Sequence, residues 1–282
     1  MPVLLISCLR LDDNLFNPDA GITEYKYDKF EGEVDFILDA SYDIPPDLVH
    51  QFTLTSGEKK IYALYLGNIA EIATDTVIMY CHGNKWHMDF YWQRAKLLAH
   101  TGHKNRFGLL MIDYGGFGLS EGPATESRLY EDVDAALKWL KEKGLSDERL
   151  VMYGFSLGSA PAIKLTANPL TLKPWKLITE APFASASVMV QDAAVLAMPS
   201  SFYVNVEINN AEEIKKVQQP YMWIHGIDDS FLSIATHGEI VFKNYSGISG
   251  ESHKITGGEH GDVPLIWGFE NYTEAIKAFI EK

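Results

Sequence analysis

Ser156 stands between two glycines in Gly154-Phe155-Ser156-Leu157-Gly158, a spacing that suits a nucleophile. A serine hydroxyl attacks poorly until a base takes its proton, and the base needs an acid to orient it. The glycines leave room for a strained turn that presents the hydroxyl. Two later segments offer the partners. Tyr221-Met222-Trp223-Ile224-His225-Gly226-Ile227-Asp228-Asp229 brings two candidate acids, and Ile255-Thr256-Gly257-Gly258-Glu259-His260-Gly261-Asp262 brings a base. Among nine histidines, His260 is the one in a glycine-flanked loop after the last apolar run. Asp228 and Asp229 compete for the acid role, the ordinary role of Asp228 being a turn cap. His225 would order the aspartate loop or donate a hydrogen bond near the site. Acyl transfer also places negative charge on a carbonyl oxygen, which backbone N–H groups must already face. Leu157, directly after the nucleophile, is one such donor, and Asn84 in His82-Gly83-Asn84-Lys85-Trp86-His87 is the second.

These residues need elements to hold them. Short apolar runs at 76–81, 107–112, 150–153, 177–179, 221–224 and 252–255 have the character of buried parallel strands. Helical segments alternate with them at 89–100, 157–167, 234–244 and 264–280, and Leu129, Val133, Ala136, Leu137 and Leu140 share one helical face. Such alternation implies right-handed crossovers and a doubly wound, mostly parallel α/β sheet. Ser156 then sits between a strand and a helix, the context that gives the five-residue pattern meaning. Before the alternation, β-branched and aromatic runs at 33–38, 49–55 and 60–66 predict an antiparallel N-terminal edge. Residues 1–30 form an irregular arm, and 31–282 one α/β domain. The interval 183–216 is too long for a crossover and holds Val188, Met189, Val190, Val195, Leu196, Met198, Phe202 and Tyr203. It is expected to form a small helical cap insertion over the carboxyl ends of the strands, where open α/β sheets bind ligands.

Composition narrows the partners. With 24 basic and 38 acidic residues the formal charge is -14, which repels nucleic acid and anionic lipid on average. A small-molecule ester or acyl substrate is expected, with no cofactor. No run reaches the roughly 18 apolar residues of a transmembrane helix. His82 and His87 have no carboxylate or cysteine cluster beside them, so no metal is expected. Asp113 to Gly122 lacks the spacing of a phosphate loop and is expected to form a turn beside the site. Cys81 ends an apolar run as a small buried hydrophobe. Leu5-Ile6-Ser7-Cys8 resembles the lipobox of bacterial lipoproteins. Two readings stay open: a lipid anchor on Cys8 in an envelope lipoprotein whose signal peptide lies upstream of Met1, or an ordinary arm on a cytoplasmic protein.

From about Thr76 onward the ordered set His82-Gly83-Asn84, Asp113 to Gly122, the Ser156 turn, Glu180-Ala181-Pro182-Phe183, Ile224 to Asp229 and Gly258 to His260 resembles α/β hydrolases. The likeness is to the Bem46-like and serine aminopeptidase-like (S33-type) kind, near acylglycerol lipase and depalmitoylase relatives. The resemblance implies the α/β-hydrolase fold, a Ser156, Asp229 and His260 triad, and oxyanion donors at Asn84 and Leu157. Asp229 takes the last place of the H-G-x-x-D pattern that often marks this loop in the family. Relatives often carry a small residue after His-Gly-Asn. Lys85, Trp86 and His87 instead would put bulk and charge at the acyl end of the pocket, with Trp86 favouring short acyl groups. The expected activity is that of a serine hydrolase cleaving a carboxylic ester or thioester through an acyl-enzyme. An amidase or aminopeptidase would use Glu180, Asp192 or Glu207 to bind an amine. A non-catalytic surface binding protein on the same fold is the alternative of a different class.

Overall fold

The computed structural model describes residues 15–30, 32, 37–102, 107–194 and 206–282. Cys8 lies outside them, as do most of the strand expected at 33–38 and the middle of the 183–216 interval. Among the described residues, eight strands form one sheet: β1 (Val49–Ser56), β2 (Lys59–Leu66), β3 (Val77–Cys81), β4 (Gly108–Ile112), β5 (Leu150–Phe155), β6 (Lys176–Glu180), β7 (Tyr221–Gly226) and β8 (Gly250–Ile255). Their spatial order is β1-β2-β4-β3-β5-β6-β7-β8. β1 pairs antiparallel with β2, and β2 antiparallel with β4; every other neighbour is parallel. Leu38, from the end of the first expected strand, is buried but lies outside the sheet.

Period-two alternation sends each strand's side chains to opposite layers. In β3, Val77, Met79 and Cys81 join one core with Leu129, Val133, Ala160 and Ile163, which belong to helices α2 (Glu126–Glu142) and α3 (Ser159–Ala167). Ile78 and Tyr80 point the other way. They pack with Ala95, Leu98, Ile276 and Phe279 of α1 (Trp92–Ala99) and α8 (Phe269–Glu281). Both faces of the sheet are therefore covered, which is why the central strands read as unbroken apolar runs.

Two described helices, α4 (Ala186–Ala194) and α5 (Asn210–Glu213), flank the undescribed middle of the 183–216 interval, and α6 (Gly238–Asn244) follows β7. Their bases are tied together: Ala186 N–H donates to the Ile208 carbonyl and Ala211 N–H to the Ala184 carbonyl, both at 2.9 Å. The helix expected over 264–280 is two helices, α7 (Val263–Trp267) and α8, because Gly268 between them adopts φ 87°. A helix cannot run through that left-handed backbone. Val263 and Ile266 of α7 lie beside Gly258 and Gly257 of the loop that carries His260.

Candidate active site

The chain reverses its direction of growth across the sheet between β3 and β5. In an open α/β sheet the carboxyl ends of the strands on either side of such a point frame the ligand crevice. Ser156 follows β5 there, and the 82–87 loop follows β3. The two are in intimate contact. A methyl group placed on Gly158 would lie 1.9 Å from the Cys81 carbonyl oxygen and 2.7 Å from that of His82. Only glycine lets the start of α3 approach the end of β3 so closely. Ser156 itself has φ 51°, a left-handed conformation that costs a non-glycine residue of order 1 kcal/mol or more. Packing on both sides of the sheet holds it there.

The strands β7 and β8 then bring the other two groups. His260 Nε2 lies 2.9 Å from Ser156 Oγ, and His260 Nδ1 lies 2.8 Å from Asp229 Oδ2. Asp229 Oδ1 accepts the N–H groups of Phe231 at 2.9 Å and Leu232 at 2.7 Å. His225 Nε2 stands 3.2 Å from Asp229 Oδ2 and 3.0 Å from the Leu232 carbonyl oxygen. Trp223 Nε1 donates to His225 Nδ1 at 3.2 Å. A neutral imidazole that accepts at Nδ1 carries its proton on Nε2, so His225 turns a donor toward Asp229. Burial alone would raise the Asp229 carboxyl. Hydrogen bonds from His225 and His260, the charge of His260 and the Leu232 N–H outweigh it and hold the group well below the ordinary carboxylate range. Asp228 is exposed, and its Oδ2 accepts the Gly257 N–H at 2.8 Å. The geometry thus separates the two competing acids: Asp229 faces the imidazole and Asp228 braces the turn after β8. Glu259 joins the loops by accepting Ser230 N–H at 2.8 Å and Ser230 Oγ at 2.9 Å.

A buried cation that sequence reasoning did not single out lies behind this pair of loops. Arg94 of α1 and Glu180 at the end of β6 have no exposed side-chain surface and meet at 2.6 Å. Glu180 Oε2 also accepts the hydroxyls of Tyr272, at 2.7 Å, and Tyr153. Arg94 Nη2 donates to the Gly261 carbonyl at 2.8 Å, one residue beyond His260. Its guanidinium sits 4.2 Å from the ring centre of Phe155, one residue before Ser156. No periodicity reveals such a residue, since Arg94 falls in an amphipathic helix where a cation normally faces water. Its buried commitment also removes Glu180 from the acidic groups available to a substrate amine.

The expected pocket residues separate. Lys85 and Trp86 form a two-residue parallel pairing with Asn17 and Pro18 of the arm. Trp86 is exposed, and its ring meets Phe90 edge-on at 4.4 Å. His87 is fully buried against the rings of Phe30 at 5.0 Å and Tyr25 at 6.1 Å, so it has no surface left to offer a substrate. Phe231 was not anticipated. It is 60% exposed and meets the His260 ring edge-on at 4.9 Å. No group of three or more metal-ligating side chains exists among the described residues, and no described helix is long and apolar enough to cross a membrane.

A serine in a left-handed turn at the centre of this sheet, with strand order and helix layers as described, places the molecule among the α/β hydrolases. More narrowly, the chain belongs to the serine aminopeptidase S33 family, whose model matches residues 73–221. Alpha/beta hydrolase domain-containing protein 17B of Homo sapiens is 26% identical over 212 residues, covering 73% of this chain and 66% of that protein. The 17C protein of Mus musculus is 25% identical over 210 residues, 72% of this chain and 59% of that protein. The chain therefore spans less than two thirds of the length of these relatives. An esterase of Pyrococcus furiosus superposes with TM-score 0.68 at 15% identity, over 94% of this chain and 97% of that one. A bromoperoxidase of Bacillus anthracis gives TM-score 0.62 at 15% identity, over 83% and 100%. At such identities the likeness is one of fold.

Proposed function

We propose that the protein hydrolyses a carboxylic ester or thioester of a small substrate through an acyl-enzyme on Ser156. The observation that carries this reading is the continuous line from Ser156 Oγ to His260 Nε2 at 2.9 Å and from His260 Nδ1 to Asp229 at 2.8 Å. Ser156 Oγ attacks the substrate carbonyl carbon while His260 Nε2 takes the hydroxyl proton, and the carbonyl π pair moves onto oxygen. The N–H groups of Leu157 and Asn84 receive that oxyanion. Asp229 stabilises the imidazolium without taking its proton. Collapse of the tetrahedral adduct expels the alcohol or thiol, to which His260 returns the proton. Water then repeats the sequence on the acyl-enzyme, releasing acid and restoring the serine.

Trp86 and Lys85 carry the specificity in this reading, with the Trp86 ring narrowing the acyl end. Of the acidic groups that an aminopeptidase would need, Glu180 is occupied by Arg94, which leaves the exposed Asp192 and Glu207. The test is labelling by a fluorophosphonate, followed by a panel of nitrophenyl esters from acetate to palmitate, thioesters and aminoacyl amides. The expected result is labelling that Ser156→Ala abolishes, with ester and thioester turnover favouring short chains. A folded protein that never labels and turns over no activated ester is a binding protein. Rates rising steadily to palmitate overturn the role of Trp86, and preferential amide turnover overturns the ester reading.

A further inference from the structure

We infer that the N-terminal arm, residues 15–27, is a working part of the active site: it holds the 82–87 loop in the shape that aims the Asn84 N–H, with Tyr25 and the Asn84 side chain as positioning groups. The inference rests on the reading of Asn84 as an oxyanion donor. The body of the protein holds the loop at two points, where Lys85 N–H donates to the Tyr91 hydroxyl at 3.2 Å and the Tyr114 hydroxyl donates to the His82 carbonyl at 2.9 Å. Trp86 has φ 58°, a left-handed conformation that is an outlier for a bulky side chain and costs energy unless its surroundings enforce it. The constraints at Asn84 and on the Trp86 carbonyl come from the arm. Residues 17 and 18 pair with 85 and 86 in parallel register, and Asp19 N–H donates to the Trp86 carbonyl at 3.3 Å. The Asn84 amide is gripped at both ends by arm backbone. Its Oδ1 accepts Asn17 N–H at 3.0 Å and its Nδ2 donates to the Leu15 carbonyl at 2.6 Å.

A second attachment lies under the root of the same loop. Buried His82 has Nδ1 2.8 Å from the Gly83 carbonyl oxygen and Nε2 3.2 Å from Asp113 Oδ1. Tyr25 reaches in from the arm, donates its hydroxyl to Asp113 Oδ2 at 2.6 Å and accepts Leu119 N–H at 3.1 Å. Gly118 makes room for this contact, since a methyl group there would fall 2.1 Å from Asp113 Oδ2 and 2.7 Å from the Tyr25 oxygen. Further along, Asp89, just after the loop, accepts the N–H groups of Lys26 at 2.6 Å and Tyr27 at 2.9 Å. The arm thus meets the chain at Asn84 and after it, and reaches His82, before it, through Asp113. Leu15 also packs with Val190 of α4, so the same arm joins the 82–87 loop to that helix. Sequence periodicity marked the arm as irregular because its order comes from contacts with distant segments.

The experiment uses the full chain, wild type and two variants. Asn84→Ala keeps the proposed donor N–H but releases the grip of the arm; Tyr25→Phe removes one hydroxyl and keeps the ring. A nonhydrolysable substrate ether reports ground-state binding, and an alkyl boronate reports the tetrahedral adduct. Loss of a whole oxyanion donor costs about 10²–10³ in kcat, so a misaimed one is expected to cost between about 10-fold and about 10²-fold. The expected result is that fall in kcat, a matching loss of boronate affinity, and unchanged KM and ether affinity, with near-ultraviolet circular dichroism as in the wild type. Two results overturn the inference: kcat within twofold of wild type in both folded variants, or parallel losses in kcat, boronate and ether binding, which mark general loosening. Failure of the underlying functional reading looks different, because the wild type itself would then neither label nor turn over esters.

Discussion

Replacing Arg94 by Met should cost far more stability than replacing it together with its partner. Both side chains of the Arg94 and Glu180 pair are fully buried and 2.6 Å apart. Removing the cation leaves a carboxylate that, among the described residues, keeps the Tyr153 and Tyr272 hydroxyls as its donors. Breaking a buried pair in this way costs about 3–5 kcal/mol. The Gly261 carbonyl loses its donor at the same time, worth about 1 kcal/mol, and the contact over Phe155 is lost. Arg94→Met is therefore expected to lose about 4–6 kcal/mol, from the sum of these two terms. The double variant Arg94→Met/Glu180→Gln removes the unpaired charge and should regain most of that, since replacing both partners is often close to neutral. Its activity should stay low, because the carbonyl beside His260 has then lost its Arg94 donor. Urea unfolding followed by tryptophan fluorescence measures the first quantity, and ester turnover at saturating substrate the second. A loss below about 1 kcal/mol in Arg94→Met, the size of a surface ion pair, would refute the reasoning, as would a double variant no more stable than the single one.

The two aspartates should separate cleanly under substitution. Asp229→Asn leaves the imidazole without its acceptor and should lower kcat by about 10⁴, whereas Asp228→Asn, which loosens only a turn, should stay within a few-fold of wild type; equal losses would contradict the assignment. Asp229 has a second signature in acid. A carboxyl held below its unfolded value near 4 contributes stability that is present above that value and is lost as pH falls through the depressed folded value. Acid titrations of the Asn variant should accordingly lack that part of the wild-type decline. Gly158→Ala forces a methyl group to 1.9 Å from the Cys81 carbonyl oxygen, so the Ser156 turn must shift; the variant should lose fluorophosphonate labelling, and a fully active one would show that the close approach is not needed.

Local pattern was enough for the sheet and for the groups closest to the proposed chemistry. Buried strands announce themselves as apolar runs, and a nucleophile turn, an aspartate loop and a histidine loop carry glycine and acid spacings that are legible without coordinates. The fold, the mostly parallel sheet and its antiparallel edge were all expected from that information. A single period over 264–280 did not reveal the break at Gly268, because one residue in a left-handed conformation leaves the apolar repeat on either side unchanged. Choosing between Asp228 and Asp229 needed the tertiary structure, since adjacent residues leave a turn in different directions. So did the roles of Arg94, Glu180 and Tyr25. Arg94 and Glu180 are 86 positions apart, and Tyr25 and Asp113 are 88 apart. The amino-acid sequence by itself determined which strands form and which residue types end them. Which buried charge meets which, and what the arm grips, was decided only when the layers packed on the sheet. Those contacts depend on distance in space, to which residue spacing along the chain is blind.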